Sequence, residues 1–495
     1  MIGITVRGDC EWTVERLRRS IAANAPQEIL DARGQFVVVS EEPDRTTIVT
    51  SRGGVQLHFY ARTRSGVVHG GTVGEVHARS GLPWRWNHQA LGDYLALGHV
   101  LGDDTVVAGV RRTPPGSVTT IESGEVTLVR DRRRRIADAF SVTALRDALE
   151  TEVMRSWRGG GDVLCLTGGL DSRLLLSVLL RNGVRPRVLV CGQPRSDDVL
   201  IAREIAARFA LDLVECQVTA TDFLLEADRI AQRTNGVLPV SHWPGVLFAR
   251  YAEGARLFLG FNGEAARTTY DEIARHRLIR RLMPPDGRFA RRKWRLRHDL
   301  ALTERESEAF HPELREGLAE AACGDRLERL LRVGGGLGAA LDHAFATERT
   351  PNKTGADLAA VSGFTEWAVP FCTDAWSTLA RAVPWYRRGS GSIHRRLIRR
   401  LEPALLRFPT EGRGRRRRPW ASAIHQVEPP RRHFFDQLEY QDARLVAYMR
   451  AEAGRLDDLV DWSAIESSGP ELRSRLLFSL ASVGALRRLT KGLPR

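Results

Sequence analysis

The chain has 495 residues and a formal net charge of +14, with a sequence pI near 10.2; 43% of its residues are hydrophobic and 27% are charged. The composition is ordinary for a soluble globular protein, and the length argues for more than one domain, since single cores seldom grow past about 250–300 residues. No apolar run reaches the roughly 20 residues that span a bilayer, and Met1–Ala25 lacks the apolar block of a signal peptide, so membrane function is excluded and a cytoplasmic location expected.

The six cysteines (Cys10, Cys165, Cys191, Cys216, Cys323 and Cys372) form no Cys-x-x-Cys pair, which argues against a zinc or redox motif. The basic excess is arginine scattered along the chain, densest at Arg132–Arg135 and Arg415–Arg418. Such runs read as solvated linker and loop, or as a basic surface for phosphates or an acidic substrate. No nucleic-acid-binding module or aromatic stripe accompanies them, so nucleic acid is not an expected partner.

In chain order, residues 30–130 carry short β-type runs: Gln35–Ser40, Thr46–Thr50, Val55–Tyr60, Gly66–Gly70, and a hairpin of Val118–Ile121 and Val126–Val129 across Ser123-Gly124. A helix is predicted near Leu91–Leu97. The texture changes after the arginine run. A helix from Val142 to about Arg155 leads into the strand Asp162–Leu166, a glycine turn, a helix from Ser172, the strand Arg187–Cys191, a helix over about Asp198–Ala210 and the strand Leu213–Cys216. This alternation predicts a doubly wound parallel sheet with ligands at the strand C-termini. The expected fold is therefore a two-domain α/β and α+β chain. Residues 1–135 form an antiparallel β-sandwich-like domain, and residues 141–495 a doubly wound sheet with helical additions.

The motif that carries chemistry is Leu166-Thr167-Gly168-Gly169-Leu170-Asp171-Ser172-Arg173. It follows a buried strand and opens a helix. Gly168 and Gly169 permit close backbone approach to an anion, and the first helical amides and the helix dipole favour negative charge there. Thr167 and Ser172 offer hydroxyls, and Asp171 can hold Mg²⁺ or cap the helix. The Gly-Lys-Ser/Thr ending of a Walker loop is absent.

This string resembles the Ser-Gly-Gly-x-Asp-Ser loop of N-type ATP pyrophosphatases, with Thr167 in place of the first serine. Other segments are similar to the asparagine-synthetase branch: Val190-Cys191-Gly192, whose counterpart lies against adenosine; Asp197-Asp198 at the next helix start; Phe258–Glu264, like Gly-Glu-Gly-Ser-Asp-Glu; Thr365–Phe371, like Glu-x-Arg-x-Pro-Phe; and Ile393–Arg399, like Lys-x-x-Leu-Arg. Thr50–Tyr60 and Val107–Gly116 resemble class II glutaminase segments, which implies that the N-terminal domain is Ntn-hydrolase-like.

The resemblance implies ATP and Mg²⁺ as cofactors. Thr167, Gly168, Gly169, Asp171, Ser172, Cys191, Gly192, Gly260 and Glu264 would bind the nucleotide, with Asp171 and Glu264 on the metal. Three departures stand out. Met1-Ile2 lacks the terminal cysteine nucleophile, and Cys10 is internal, so no glutamine hydrolysis is expected. Phe261 stands where relatives carry a glutamate or tyrosine base, leaving Glu366 as the base candidate, with His242 and Tyr270 behind it. Arg413 and Arg415 stand where the family has a lysine against the acyl-phosphate.

The implied reaction is amide-bond formation between a carboxylate and an amine through an acyl-adenylate, releasing AMP and pyrophosphate. Loss of the glutaminase nucleophile is shared with lasso-peptide cyclases and β-lactam synthetases. It points to macrolactam closure of a precursor peptide, to a β-lactam-type or other small-molecule ligase, or to a silent nucleotide- or peptide-binding relative. Nothing in the sequence sets the oligomeric state.

Overall fold

The computed structural model describes residues 3–131, 140–252, 254–267, 302, 304–322, 343–384, 387–388, 391–410, 442–467 and 470–492. In the N-terminal part the strands are β1 (Gly3–Cys10), β2 (Gly34–Glu41), β3 (Arg45–Thr50), β4 (Phe59–Thr63), β5 (Gly66–Gly70), β6 (Val110–Arg112), β7 (Ser117–Glu122) and β8 (Glu125–Arg130). They form an antiparallel five-stranded sheet, β1-β2-β3-β7-β8, and a three-stranded sheet, β5-β4-β6. Helices α1 (Val14–Ala22), α2 (Val73–Ser80) and α3 (His88–Leu97) accompany them. The predicted hairpin is present, with Ser123 and Gly124 both at positive φ (51° and 79°), the backbone of a tight strand-matched turn.

Two features differ from the sequence reading. Strand β1 was not anticipated; Ile4, Val6 and Cys10 pack it onto the small core under α1, beside Leu17, Ile29 and Phe36. The predicted strand Val55–Tyr60 is strand only from Phe59. Gly54 sits at φ +61°, and Val55 and Leu57 turn into the main core instead of continuing the ladder; the space they fill requires Gly355, where a Cβ would lie 2.8 Å from Leu57 Cδ2.

The second sheet is parallel. Its strands are β9 (Asp162–Cys165), β10 (Arg187–Cys191), β11 (Leu213–Cys216), β12 (Arg256–Phe258) and β13 (Trp367–Ala368), in the order β11-β10-β9-β12-β13. Helices α4 (Val142–Ser156), α5 (Leu170–Arg181), α6 (Asp197–Phe209) and α7 (Ala220–Arg233) alternate with the first strands. The first strand of the unit, β9, is central. Successive strands add to one side and then the other, so the order reverses between β9 and β12, the place where open α/β sheets bind ligands.

Helix α5 is apolar nearly all round: Leu174, Leu175, Leu176, Val178 and Leu179 are buried. A helix with that pattern must be covered on several faces, and α4 and the helix Ser392–Leu401 both pack against it. Each such side chain contributes about 1.5–3 kcal/mol by burial, so the start of α5 is held rigidly.

The two halves are joined by one continuous core. Val55, Val73, Leu91 and Tyr94 from the antiparallel part pack with Phe223, Trp243, Leu257, Leu480 and Leu486. Polar ties cross the same seam: Gln35 Nε2 donates to Cys372 O at 2.9 Å, and Val73 N to Asn235 Oδ1 at 2.7 Å. Among the described residues no helix is long and apolar enough to cross a membrane.

Candidate active site

Strand β9 ends at Cys165, and Leu166 N still bonds to Leu189 O at 2.9 Å. The chain then turns through Thr167–Gly169 into α5. The loop folds on its own hydroxyls. Thr167 N donates to Ser172 Oγ (3.0 Å), the two hydroxyls lie 3.1 Å apart, and Gly169 N donates to Thr167 Oγ1 (3.2 Å). Gly169 is the N-cap, and α5 carries no side-chain cap. Its first amides therefore point outward at the sheet's switch point, an anion site with the positive end of the helix dipole behind it.

One loop amide has a protein anion on it. Gly168 N donates to Asp198 Oδ1 at 2.6 Å. Asp198 lies in the first turn of α6, after the N-cap Ser196, and burial pushes its carboxyl above the ordinary aspartate range. A phosphate on this amide would displace that carboxylate.

Arg173, the residue after the loop's serine, is fully buried. Its guanidinium donates to Gly168 O (2.8 Å), Phe408 O (3.0 Å), Leu405 O (3.4 Å) and Pro409 O. These partners are all backbone carbonyls. Burial first, and then the Arg395 charge, push its pKa down to about 10. It clamps the loop to the segment that leads into residues 411–441.

The second loop follows β12. A Cβ on Gly260 would stand 3.1 Å from Ser172 N, and one on Gly263 would stand 2.4 Å from Asp171 Oδ1; only glycine at 263 lets the loops meet. Between them, Asn262 takes φ +70° and is locked by Phe371 O (3.0 Å) and Thr350 Oγ1 (2.8 Å). Glu264 opens the following turn with its carboxylate 3.1 Å from Arg349 Nη1. Arg349 belongs to a π-helical stretch, Phe345–Thr354, that accommodates Pro351; such stretches concentrate at functional sites.

Asp171 lies between these groups. One oxygen pairs with Arg267, whose pKa burial lowers to about 10. The other, Oδ1, lies 2.8 Å from His394 Nε2, but neither atom is aligned for a hydrogen bond with any partner. His394 is fully buried, and desolvation, followed by the Arg267 charge, holds it neutral, well below its ordinary pKa. A buried carboxylate oxygen without a hydrogen bond is a hard-oxygen donor of the kind a divalent ion takes, and Glu264 follows Gly263, whose Cβ would stand 2.4 Å from that oxygen. The residues present therefore fit Mg²⁺, which Asp171 and Glu264 would hold once phosphate oxygens had drawn Arg267 and Arg349 toward themselves.

The structure thus brings Thr167, Gly168, Gly169, Asp171, Ser172, Gly260 and Glu264 together. Cys191 and Gly192 lie at the C-terminal end of the neighbouring strand β10, on the same edge. Glu366 is not brought there. It precedes β13, its carbonyl accepts from Leu257 N, and its carboxylate pairs with Arg158 at 3.1 Å while 74% exposed. By register it stands level with Asp162, about four residues or ~13 Å along the strands from the loop. In a parallel sheet, residues before a strand lie toward the opposite edge from residues after one, so the structure does not bring Glu366 to the loop. A Glu366→Gln variant is expected to keep turnover within about twofold of wild type, measured as AMP release.

Phe261 packs against the main core and offers no proton acceptor. His242 Nδ1 lies 3.4 Å from Lys353 Nζ, which bonds to Asp357 at 3.0 Å. Arg413, Arg415 and Tyr270 lie outside the described residues. Sequence reasoning missed the parts played by Asp198, Arg173, Arg267, Arg349 and His394. Three of these stood within recognised strings: Arg173 in the loop, Asp198 in the acidic helix start and His394 in the Lys-x-x-Leu-Arg-like segment. Arg349 carried no signal.

Fold and site together offer an uncapped helix start at the switch point of a doubly wound sheet, an arrangement suited to a phosphorylated ligand. A model of the asparagine synthase family matches residues 144–483; the chain belongs to this family, whose chemistry is ATP-dependent amide ligation. A search of curated proteins found no match.

Proposed function

We propose that this chain joins a carboxylate to an amine through an acyl-adenylate, releasing AMP and pyrophosphate, without hydrolysing glutamine. The observation that carries the reading is the uncapped start of α5, which bears Asp171 and meets the second loop at Gly260 and Gly263, next to Glu264 in sequence.

In the first step a substrate carboxylate oxygen attacks the α-phosphorus of ATP, forming a P–O bond as the bond to the β-phosphate bridging oxygen breaks. The amides of Gly168 and Gly169 and the Ser172 hydroxyl hold the departing pyrophosphate. Arg267 and Arg349 stand beside Asp171 and Glu264 to meet the charge that accumulates there. Cys191 and Gly192 would line the adenosine side. Mg²⁺ would supply charge neutralisation on the bridging phosphates. In the second step the amine attacks the acyl carbon, the mixed anhydride breaks to release AMP, and the amine gives up a proton. Arg413 and Arg415 are proposed to neutralise the acyl-phosphate, and Tyr270 and His242 remain the proton acceptors to test.

The N-terminal part, residues 1–135, would be a glutaminase-like domain retained for its packing. Cys10, the cysteine nearest the start, ends β1 with its thiol pushed up to about 11 by burial. At pH 8 only about one molecule in a thousand would carry the thiolate. A Cys10→Ala variant is expected to leave amide formation unchanged, and glutamate release from glutamine should be at background in both proteins; release that depends on Cys10 would sink this part of the reading.

With no ammonia source, the amine comes from the substrate. A precursor peptide closing a macrolactam suits the net charge of +14 if the peptide is acidic. A β-lactam-type or other small-molecule amide would be made by the same residues. A silent relative is favoured by Phe261 and by Asp198 occupying the Gly168 amide. ATP–pyrophosphate exchange with candidate carboxylates separates these readings: exchange supports adenylation, and its absence with every peptide and small carboxylate tried favours the silent one.

A further inference from the structure

Away from the ATP site, the described residues contain a group of three potential metal ligands drawn from both halves of the chain. His88 is the first residue of α3; His311 and Glu313 flank Pro312 at the start of the helix Pro312–Ala322. One ligand atom from each lies within 4.8 Å of the other two. His88 Nδ1 contacts a Glu313 carboxylate oxygen, and the two imidazole centroids are 5.8 Å apart.

We propose that His88, His311 and Glu313 bind a divalent transition ion, with Zn²⁺ the best match, and that this ion staples α3 to the helix Pro312–Ala322. Two imidazoles and one carboxylate with a position left for water form a common tetrahedral zinc set. Bonds of about 2.0–2.2 Å would place ligand atoms roughly 3.3–3.5 Å apart. The cluster must therefore close by about 1.5 Å at most, within reach of the exposed Glu313 side chain.

The backbone beneath is fixed by contacts unrelated to the cluster. Asn87 N donates to Val106 O (3.0 Å), and Asn87 Oδ1 caps α3 through Ala90 N (3.2 Å). His311 N donates to Leu459 O at 2.8 Å. The two helices touch through glycines: a Cβ on Gly92 would lie 2.4 Å from Gly317 C, and one on Gly317 would lie 2.5 Å from His88 O. That closeness holds His88 over Glu313.

Both histidines sit at helix starts, where the dipole opposes a cation, so Glu313 supplies the offsetting charge and an affinity on the order of micromolar is expected rather than that of a buried zinc-finger site. The alternative is a plain His88–Glu313 ion pair, with Glu313 favoured in the first helical turn.

The test titrates Zn²⁺ into tag-free, chelator-treated full-length protein against a chromophoric chelator. One Zn²⁺ per chain is expected, weakened at least ~10-fold in each of His88→Gln, His311→Gln and Glu313→Gln. Zn²⁺ should raise the thermal midpoint of wild type and not of a His311→Gln/Glu313→Gln double variant. Because His311 and Glu313 are exposed, their variants should match wild type in midpoint without metal. No zinc bound by wild type, or zinc bound equally by all variants through others of the 13 histidines, would overturn the proposal.

Discussion

Replacing Asp171 by asparagine is expected to reduce ATP–pyrophosphate exchange by at least ~10²-fold, the scale seen when one preorganised electrostatic group is lost from an active site. Asparagine keeps the shape that fits against Gly263 but lacks the negative charge that would hold a divalent cation tightly. The change also leaves Arg267, which is half-buried, without its carboxylate, and an unpaired charge there costs less than the ~3–5 kcal/mol of a fully buried one. Loss of activity in the single variant therefore has two possible sources. An Asp171→Asn/Arg267→Met double variant, read against Arg267→Met alone, separates them. It should regain most of the lost thermal stability while exchange stays at background. Recovery of exchange along with stability would mean that Asp171 only neutralises Arg267 and holds no metal.

The second large effect falls on Arg173. Its guanidinium satisfies the carbonyls of Gly168, Leu405, Phe408 and Pro409, with no side-chain acid among these partners. Methionine matches its length but leaves those buried acceptors without a donor, at about 1–3 kcal/mol for each that water cannot reach. We expect a loss of roughly 3–5 kcal/mol, at the upper end for single substitutions, and a fall of about 5–10 °C in thermal midpoint. Arg173→Lys should recover only part of this, because one ammonium cannot serve carbonyls from both the loop and the Leu405–Pro409 segment. Catalysis offers an independent readout. Since Arg173 sets the loop against the chain that continues to Arg413 and Arg415, kcat should fall at least ~10-fold in the lysine variant while KM for ATP changes little. Unchanged kcat in a folded lysine variant would confine Arg173 to stability.

Local pattern and long-range convergence contributed differently to what could be read in advance. The alternation of strands and helices from Val142 to Cys216 was legible because each element declares itself within a dozen residues. Helix α4 is found over Val142–Ser156 against an expected end near Arg155, and β10 and β11 match the expected Arg187–Cys191 and Leu213–Cys216. Strand β1 was not legible, because its polar residues Thr5, Arg7 and Asp9 mask an alternation that acquires meaning only when Ile4 and Val6 face Leu17 and Phe36. Val55–His58 misled for the opposite reason: an apolar run reads the same whether it joins a ladder or turns into the core.

By itself, the sequence determined the glycine loop at Thr167–Gly169 and the helix start after it. A strand, two glycines and an uncapped helix start are consecutive residues, and their geometry follows from backbone sterics and helix capping alone. Only the tertiary structure decided what surrounds that loop. Arg267, Arg349 and His394 come to Asp171 and Glu264 from 96, 85 and 223 residues away in sequence, and no local pattern encodes such separations. Strand direction likewise kept Glu366 away from the loop. The sheet is parallel, so the residue before β13 lies at the edge opposite the loops that follow β9 and β12, however well its neighbours resemble a family motif.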